Sequence, residues 1–129
     1  MEIRLKVGKV IECVEHPESD HLHVCQVNVG DKVTQIVCGA SNVRKGIKVI
    51  VALDGAKLPG GEIKRGNIRG VESNGMLCSI AELGLDNKFL TEVDKEGIHE
   101  LPQEAKPGED PIKLLGLEYL PIFSSYTLP

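Results

Sequence analysis

The stretch Arg69-Gly70-Val71-Glu72-Ser73-Asn74-Gly75-Met76-Leu77-Cys78-Ser79, read with Cys38-Gly39-Ala40-Ser41-Asn42-Val43 upstream, decides the fold. Each is a corner of small residues set between apolar segments that alternate like strands. Outward from the corners, Ile47, Val49, Val51 and Leu53 alternate cleanly, and Val33 to Cys38 follows a Gly30-Asp31 hairpin turn. Leu5, Val7, Ile11 and Cys13 alternate with Lys6, Glu12 and Val14 until Glu15-His16-Pro17-Glu18-Ser19-Asp20 stops the strand. In the next strand Leu22 and Val24 share one parity while Cys25, Val27 and Val29 share the other, which predicts a bulge near Val24. Asp54-Gly55-Ala56-Lys57-Leu58-Pro59-Gly60-Gly61 is a glycine-rich turn region, and Ile63, Ile68, Met76 and Leu77 supply the apolar points of the final strands.

Short strands punctuated by turns predict an all-β chain, a five-stranded OB-fold barrel with short helices and a C-terminal extension; a sandwich is the structural alternative. Residues 1–80 are expected to form the barrel core. Residues 81–129 are expected to be an extension that completes the domain and is truncated at its end. Across that boundary, Ser79-Ile80-Ala81-Glu82 has the capping-box pattern of a short helix that Gly84 ends. Gly97 to Pro102 reads as a further strand, and Pro111 to Leu117 as a proline-started helix.

A chain of 129 residues can bury one core of its own but is short for two full domains. No apolar run is long enough to span a bilayer, and the N-terminus lacks a signal-peptide pattern, so the expected setting is cytoplasmic, with no membrane partner. Cys13, Cys25, Cys38 and Cys78 sit in apolar segments without CxxC spacing, which favours buried thiols over disulfides. The net charge of -4 argues against a general nucleic-acid binder, but its distribution is uneven. Between Ser41 and Val71, Arg44, Lys45, Lys48, Lys57, Lys64, Arg65 and Arg69 face only Asp54 and Glu62, whereas the segment from Ala81 onward is strongly acidic. A basic middle and an acidic end suit a local phosphate-binding face on a chain that stays soluble.

The corners carry chemistry that fits such a face. Gly70 and Gly75 let backbone approach a ligand, Ser73 and Asn74 can hydrogen-bond phosphate or ribose, and Arg69 can fork onto a phosphate with Lys64 and Arg65 adding counter-charge. The competing reading is a tight barrel corner whose serine and asparagine satisfy their own backbone. That reading is stronger still for Asn42, the remaining candidate contact.

These motifs, with Val7-Gly8-Lys9-Val10, His16-Pro17 before Ser19-Asp20, and Leu58-Pro59-Gly60-Gly61, closely resemble the signature of a tRNA-binding domain family. That family is shared by the β subunit of bacterial phenylalanyl-tRNA synthetase, the endothelial monocyte-activating polypeptide II group and the CsaA chaperones. Gly97-Ile98 to Leu101-Pro102, Pro107-Gly108 and Leu114-Leu115-Gly116-Leu117 look most like the synthetase β subunit. The resemblance implies a piece of a much longer chain, with tRNA, the synthetase α subunit and the remaining β-subunit domains as partners. It implies ATP and magnesium for the parent enzyme at an adenylate-forming site on the α subunit, with no cofactor and no catalytic residue in this piece. Its alternative is a standalone CsaA-like tRNA-binding chaperone or a protein-docking module. In many relatives a lysine stands at the position of His21.

Phe89, Tyr119, Phe123 and Tyr126 all lie outside the expected barrel, so no base-stacking platform is visible. Contact with the backbone and shape of folded RNA is the expectation, weak and salt-sensitive. Two rival chemistries fit poorly. Cys13, His16, His21, His23 and Cys25 are all zinc-ligand types, but their spacing along strands is wrong for a closed tetrahedral site, and no metal is expected. Glu72-Ser73-Asn74-Gly75 is not a nucleophile elbow.

Overall fold

A computed structural model describes residues 5–58, 61–78 and 97–111. Among the described residues ten strands run in order: β1 Leu5–Glu15, β2 His23–Asn28, β3 Val33–Cys38, β4 Lys48–Leu53, β5 Lys57–Leu58, β6 Gly61–Glu62, β7 Gly66–Ile68, β8 Val71–Ser73, β9 Gly75–Leu77 and β10 Glu100–Leu101. The main sheet has the order β10-β4-β1-β2-β3, with β9 also paired to β4 and every pairing antiparallel. β1 is the hinge of the barrel: Leu5 to Lys9 pair with β4, and Lys9 to Glu15 pair with β2.

The barrel closes where the chain passes from β8 to β9 beside β3. There the Asn74 N–H donates to the Gln35 carbonyl at 2.8 Å, and the Val37 N–H donates to Ser73 Oγ at 3.0 Å. A side chain thus supplies one bond of the seam. The result is a nearly closed antiparallel barrel of OB type, with β8 and β9 together forming its last stave. The expected helix at Ser79 to Gly84 lies outside the described residues, as does all of the Pro111 to Leu117 helix beyond Pro111. Among the described residues no helix is long and apolar enough to cross a membrane.

The bulge falls elsewhere than the parity break predicts. The register shifts in β1 between Val10 and Glu12, while β2 pairs without interruption on both sides. Leu22 precedes β2 altogether, its carbonyl accepting from the His16 N–H at 2.9 Å, and this produces the apparent break at Val24. The β1 face assignment changes too. Val10 and Cys13 meet Cys25, Val27, Ile36, Val49, Val51 and Leu77 inside the barrel. A Cβ on Gly8 would lie 2.6 Å from both Val27 and Val51 side chains, so Gly8 faces inward with them. Leu5 and Val7 pair with Ala52 and Ile50 on the other face, yet all four are fully buried. β1 and β4 are therefore apolar on both sides near their pairing, which is why Val49 to Leu53 reads as an almost unbroken apolar run. Each fully buried Val, Leu or Ile contributes roughly 1.5–3 kcal/mol relative to exposure. Ile68 is not a barrel residue: it is 40 % exposed on the β7–β8 hairpin.

Residues 97–111 are bound into this sheet. β10 pairs with Lys48 and Val49 of β4, and the backbone of Gly108 and Glu109 bonds Val7 where β2 has turned away. A Cβ on Gly30 would lie 2.8 Å from the Gly108 Cα, so the β2–β3 turn and this segment approach at backbone contact.

Candidate nucleic-acid interface

The β7–β8 hairpin is a short ribbon with Gly66 opposite Ser73, Asn67 opposite Glu72 and Ile68 opposite Val71. Arg69 and Gly70 make its turn with φ of 51° and 87°, the positive pair that tight hairpins require. Among the described residues Arg69 is the one non-glycine with positive φ. A side chain there costs about 1 kcal/mol, so an arginine is an unfavourable choice on conformational grounds.

The ribbon is tied to the barrel at both ends. At its base, Gln35 Nε2 donates to the Glu72 carbonyl at 2.8 Å, and Gln35 in turn accepts from Gln26 Nε2 at 2.9 Å. These amides form a ladder on the outer face of β2 and β3. At the tip, His16 Nε2 lies 2.9 Å from the Ile68 carbonyl, and Arg69 Nη1 donates to the Glu18 carbonyl at 3.4 Å. The turn after β1 and the hairpin before β9 therefore meet as one edge, at the end of the barrel where β1 and β3 finish and β2 starts.

Lys64, Arg65 and Arg69 are all exposed. Lys64 and Arg65 stand at the hairpin base, where the Arg65 N–H donates to Asp54 Oδ1 at 2.9 Å, and Arg69 stands at the tip. Ser73 is 4 % exposed, and its hydroxyl bridges the Val37 N–H and the Gly75 carbonyl. Asn74 is half-buried and its N–H belongs to the seam. Asn42 is elsewhere. Its amide Oδ1 accepts from the Ile98 N–H at 3.0 Å while Nδ2 donates to the Ile98 carbonyl at 2.9 Å and to Glu100 at 3.1 Å. An added Cβ at Gly97 would collide with that amide.

The basic run thus divides. Arg44 forks onto Glu100 at 2.8 and 3.1 Å, and Lys48 Nζ donates to the carbonyls of Gln103 and Ala105. The Arg44 guanidinium holds the Glu100 carboxyl below its ordinary range, more than burial raises it, and the carboxylate raises the arginine in return. On the other edge, Asp20 is fully exposed beside His21 at 3.1 Å, and that contact lowers the Asp20 carboxyl.

Of the five metal-type residues, His16 is committed to Ile68 and Glu18, and His21 stands beside Asp20. Cys13 and Cys25 face each other across β1 and β2 with sulfurs 3.8 Å apart. Burial, and then the Cys13 neighbour, push the Cys25 thiol well above its ordinary value. Among the described residues no group of three or more His, Cys, Asp or Glu is placed to hold a metal ion. Nothing local in the sequence marks His16, Gln26, Gln35 or Glu100 as organisers of these edges. His16-Pro17 was a visible motif, but its partner is 52 residues away.

Residues 5–110 match the family model tRNA_bind, described as "Putative tRNA binding domain". The chain is 51 % identical over 116 residues to the phenylalanine–tRNA ligase β subunit of Streptococcus pneumoniae, covering 89 % of this chain and 14 % of that protein. It is 50 % identical over 117 residues to the same subunit of Lactiplantibacillus plantarum, with the same coverage. The chain therefore spans about one-seventh of the length of these relatives. Among solved structures, a MetRS-related protein of Pyrococcus horikoshii superposes with a TM-score of 0.58 at 25 % identity, covering 81 % of this chain and 84 % of that one. The C-terminal domain of Plasmodium vivax p43 gives 0.55 at 25 % identity, covering 81 % and 56 %.

Proposed function

The chain belongs to the tRNA-binding domain family, and from that premise we propose that the β7–β8 hairpin and the 16–22 turn form an edge that contacts the RNA backbone. The observation that carries this reading is the exposure of Lys64 and Arg65 just before the ribbon and of Arg69 in its turn, a position that disfavours arginine. An arginine placed against conformational preference points to a demand other than the turn geometry itself. Asn74 follows the ribbon directly and is a further contact. Ser73 and Asn42 contribute by holding backbone: one closes the barrel, the other clamps Ile98.

We further infer that the chain is part of a phenylalanine–tRNA ligase β subunit, acting in the cytoplasm beside the α subunit and the other β-subunit domains. Identity of half over almost the whole chain supports this over a standalone chaperone. In such an enzyme ATP and magnesium serve an adenylate-forming site elsewhere. The piece itself binds and orients, and contributes no reacting group.

The test is tRNA binding to this chain by fluorescence anisotropy across a low-salt series, beside the Arg65→Ala/Arg69→Ala double variant. Affinity should fall steeply with salt, and the variant should bind roughly tenfold or more weakly with a shallower salt slope. A folded chain with salt-independent binding, or a variant that binds like the parent, removes the phosphate-contact reading and favours a protein-docking role.

A further inference from the structure

His16 is 3 % exposed, and both of its ring nitrogens are engaged. The Glu18 N–H donates to Nδ1 at 2.9 Å, and Nε2 lies 2.9 Å from the Ile68 carbonyl. A backbone N–H can only donate and a carbonyl can only accept, so the two partners dictate the proton: Nδ1 is bare and Nε2 carries it. The ring is neutral in this arrangement. It joins the turn after β1 to the tip of the β7–β8 hairpin, and the same turn offers the Glu18 carbonyl to Arg69.

We propose that His16 is the positioning residue of the RNA-contacting edge, a neutral Nε2–H imidazole that latches the 16–20 turn onto the hairpin and so sets where Arg69 presents its charge. A proton on Nδ1 would set donor against donor at the Glu18 N–H, so only the Nε2–H tautomer holds both the turn and the hairpin, and with them the carbonyl that anchors Arg69.

This inference rests on the RNA-binding reading for its consequence but not for its geometry, and the experiment separates the two. In the unaltered chain, the imidazole nitrogen resonances of His16 should report a proton on Nε2 alone. In His16→Ala, the amides of Ile68 and Val71 should exchange roughly tenfold faster or more while those of β1 and β4 hold their rates. Unchanged exchange at the hairpin, or a proton on Nδ1, overturns the latch whether or not RNA binds. With tRNA, His16→Ala should lose about as much affinity as Arg69→Ala, roughly three- to tenfold. The double variant should be no weaker than the worse single by more than about twofold. Additive losses overturn the claim that His16 acts through Arg69. Absence of tRNA binding would sink the RNA reading, leaving hairpin exchange to decide the latch.

Discussion

Two edges of the molecule use the same residue types for opposite ends. Along the 97–105 segment, Asn42, Arg44 and Lys48 are all engaged: an amide bonded to both backbone groups of Ile98, a guanidinium forked onto Glu100, and an ammonium on two carbonyls. At the β7–β8 hairpin, Lys64 and Arg65 just before it and Arg69 in its turn are exposed to solvent without a carboxylate partner among the described residues, Arg69 reaching only the Glu18 carbonyl. Both triplets lie within the same basic run of sequence. The contrast teaches that positive charge in sequence does not map a binding face until one knows which charges the fold has already paired.

If that contrast holds, substitutions at the two edges should separate stability from binding. The largest effect is expected at the clamp. Asn42→Ala leaves the N–H and carbonyl of buried Ile98 without their partner and should cost about 2–4 kcal/mol in urea unfolding. RNA affinity measured on the folded fraction should be unchanged; a matching loss of affinity would break the division between edges. At the hairpin the sign reverses. Arg69→Asn places a residue tolerant of positive φ in the turn and should raise stability by about 0.5–1 kcal/mol while weakening RNA binding. A variant that gains neither stability nor loses affinity would show that the arginine is there for some other reason.

The smallest effect sharpens the clamp side. Glu100 has its folded carboxyl lowered by Arg44, so its contribution is present above the unfolded carboxyl range and is lost as pH falls through the lowered folded value. The stability difference between the unaltered chain and Glu100→Gln should therefore shrink on acidification below about pH 4. Because Arg44 is largely exposed, the difference should also be modest and diminish in salt. A gap that widens in acid would assign the clamp's strength to something other than this pair.

The barrel was legible because strand periodicity is a local property. Alternation from Leu5 to Leu53, the Gly30-Asp31 turn and the small-residue corners sufficed for an all-β OB-type fold, and the Glu15 to Asp20 stop lies where β1 ends. The face assignments were less legible. A strand buried on both sides, such as β4, offers no polar side to mark its outside, and Ile68 looks like core until its hairpin is seen to leave the barrel. The same holds for Ser73: a serine in a glycine corner reads alike whether its hydroxyl faces phosphate or an orphan N–H of the neighbouring strand.

By itself the sequence determined the chain's class, its run of short strands, its turns and the family signature, all of which depend on residues within a few positions of one another. Only the tertiary structure decided which polar groups are already partnered. Asn42 meets Ile98 across 56 residues, His16 meets Ile68 across 52, and Val37 meets Ser73 across 36. Each pairing arises because burying the apolar faces brings distant backbone groups together out of water, where an unmet donor or acceptor is costly and the nearest suitable side chain is recruited to meet it.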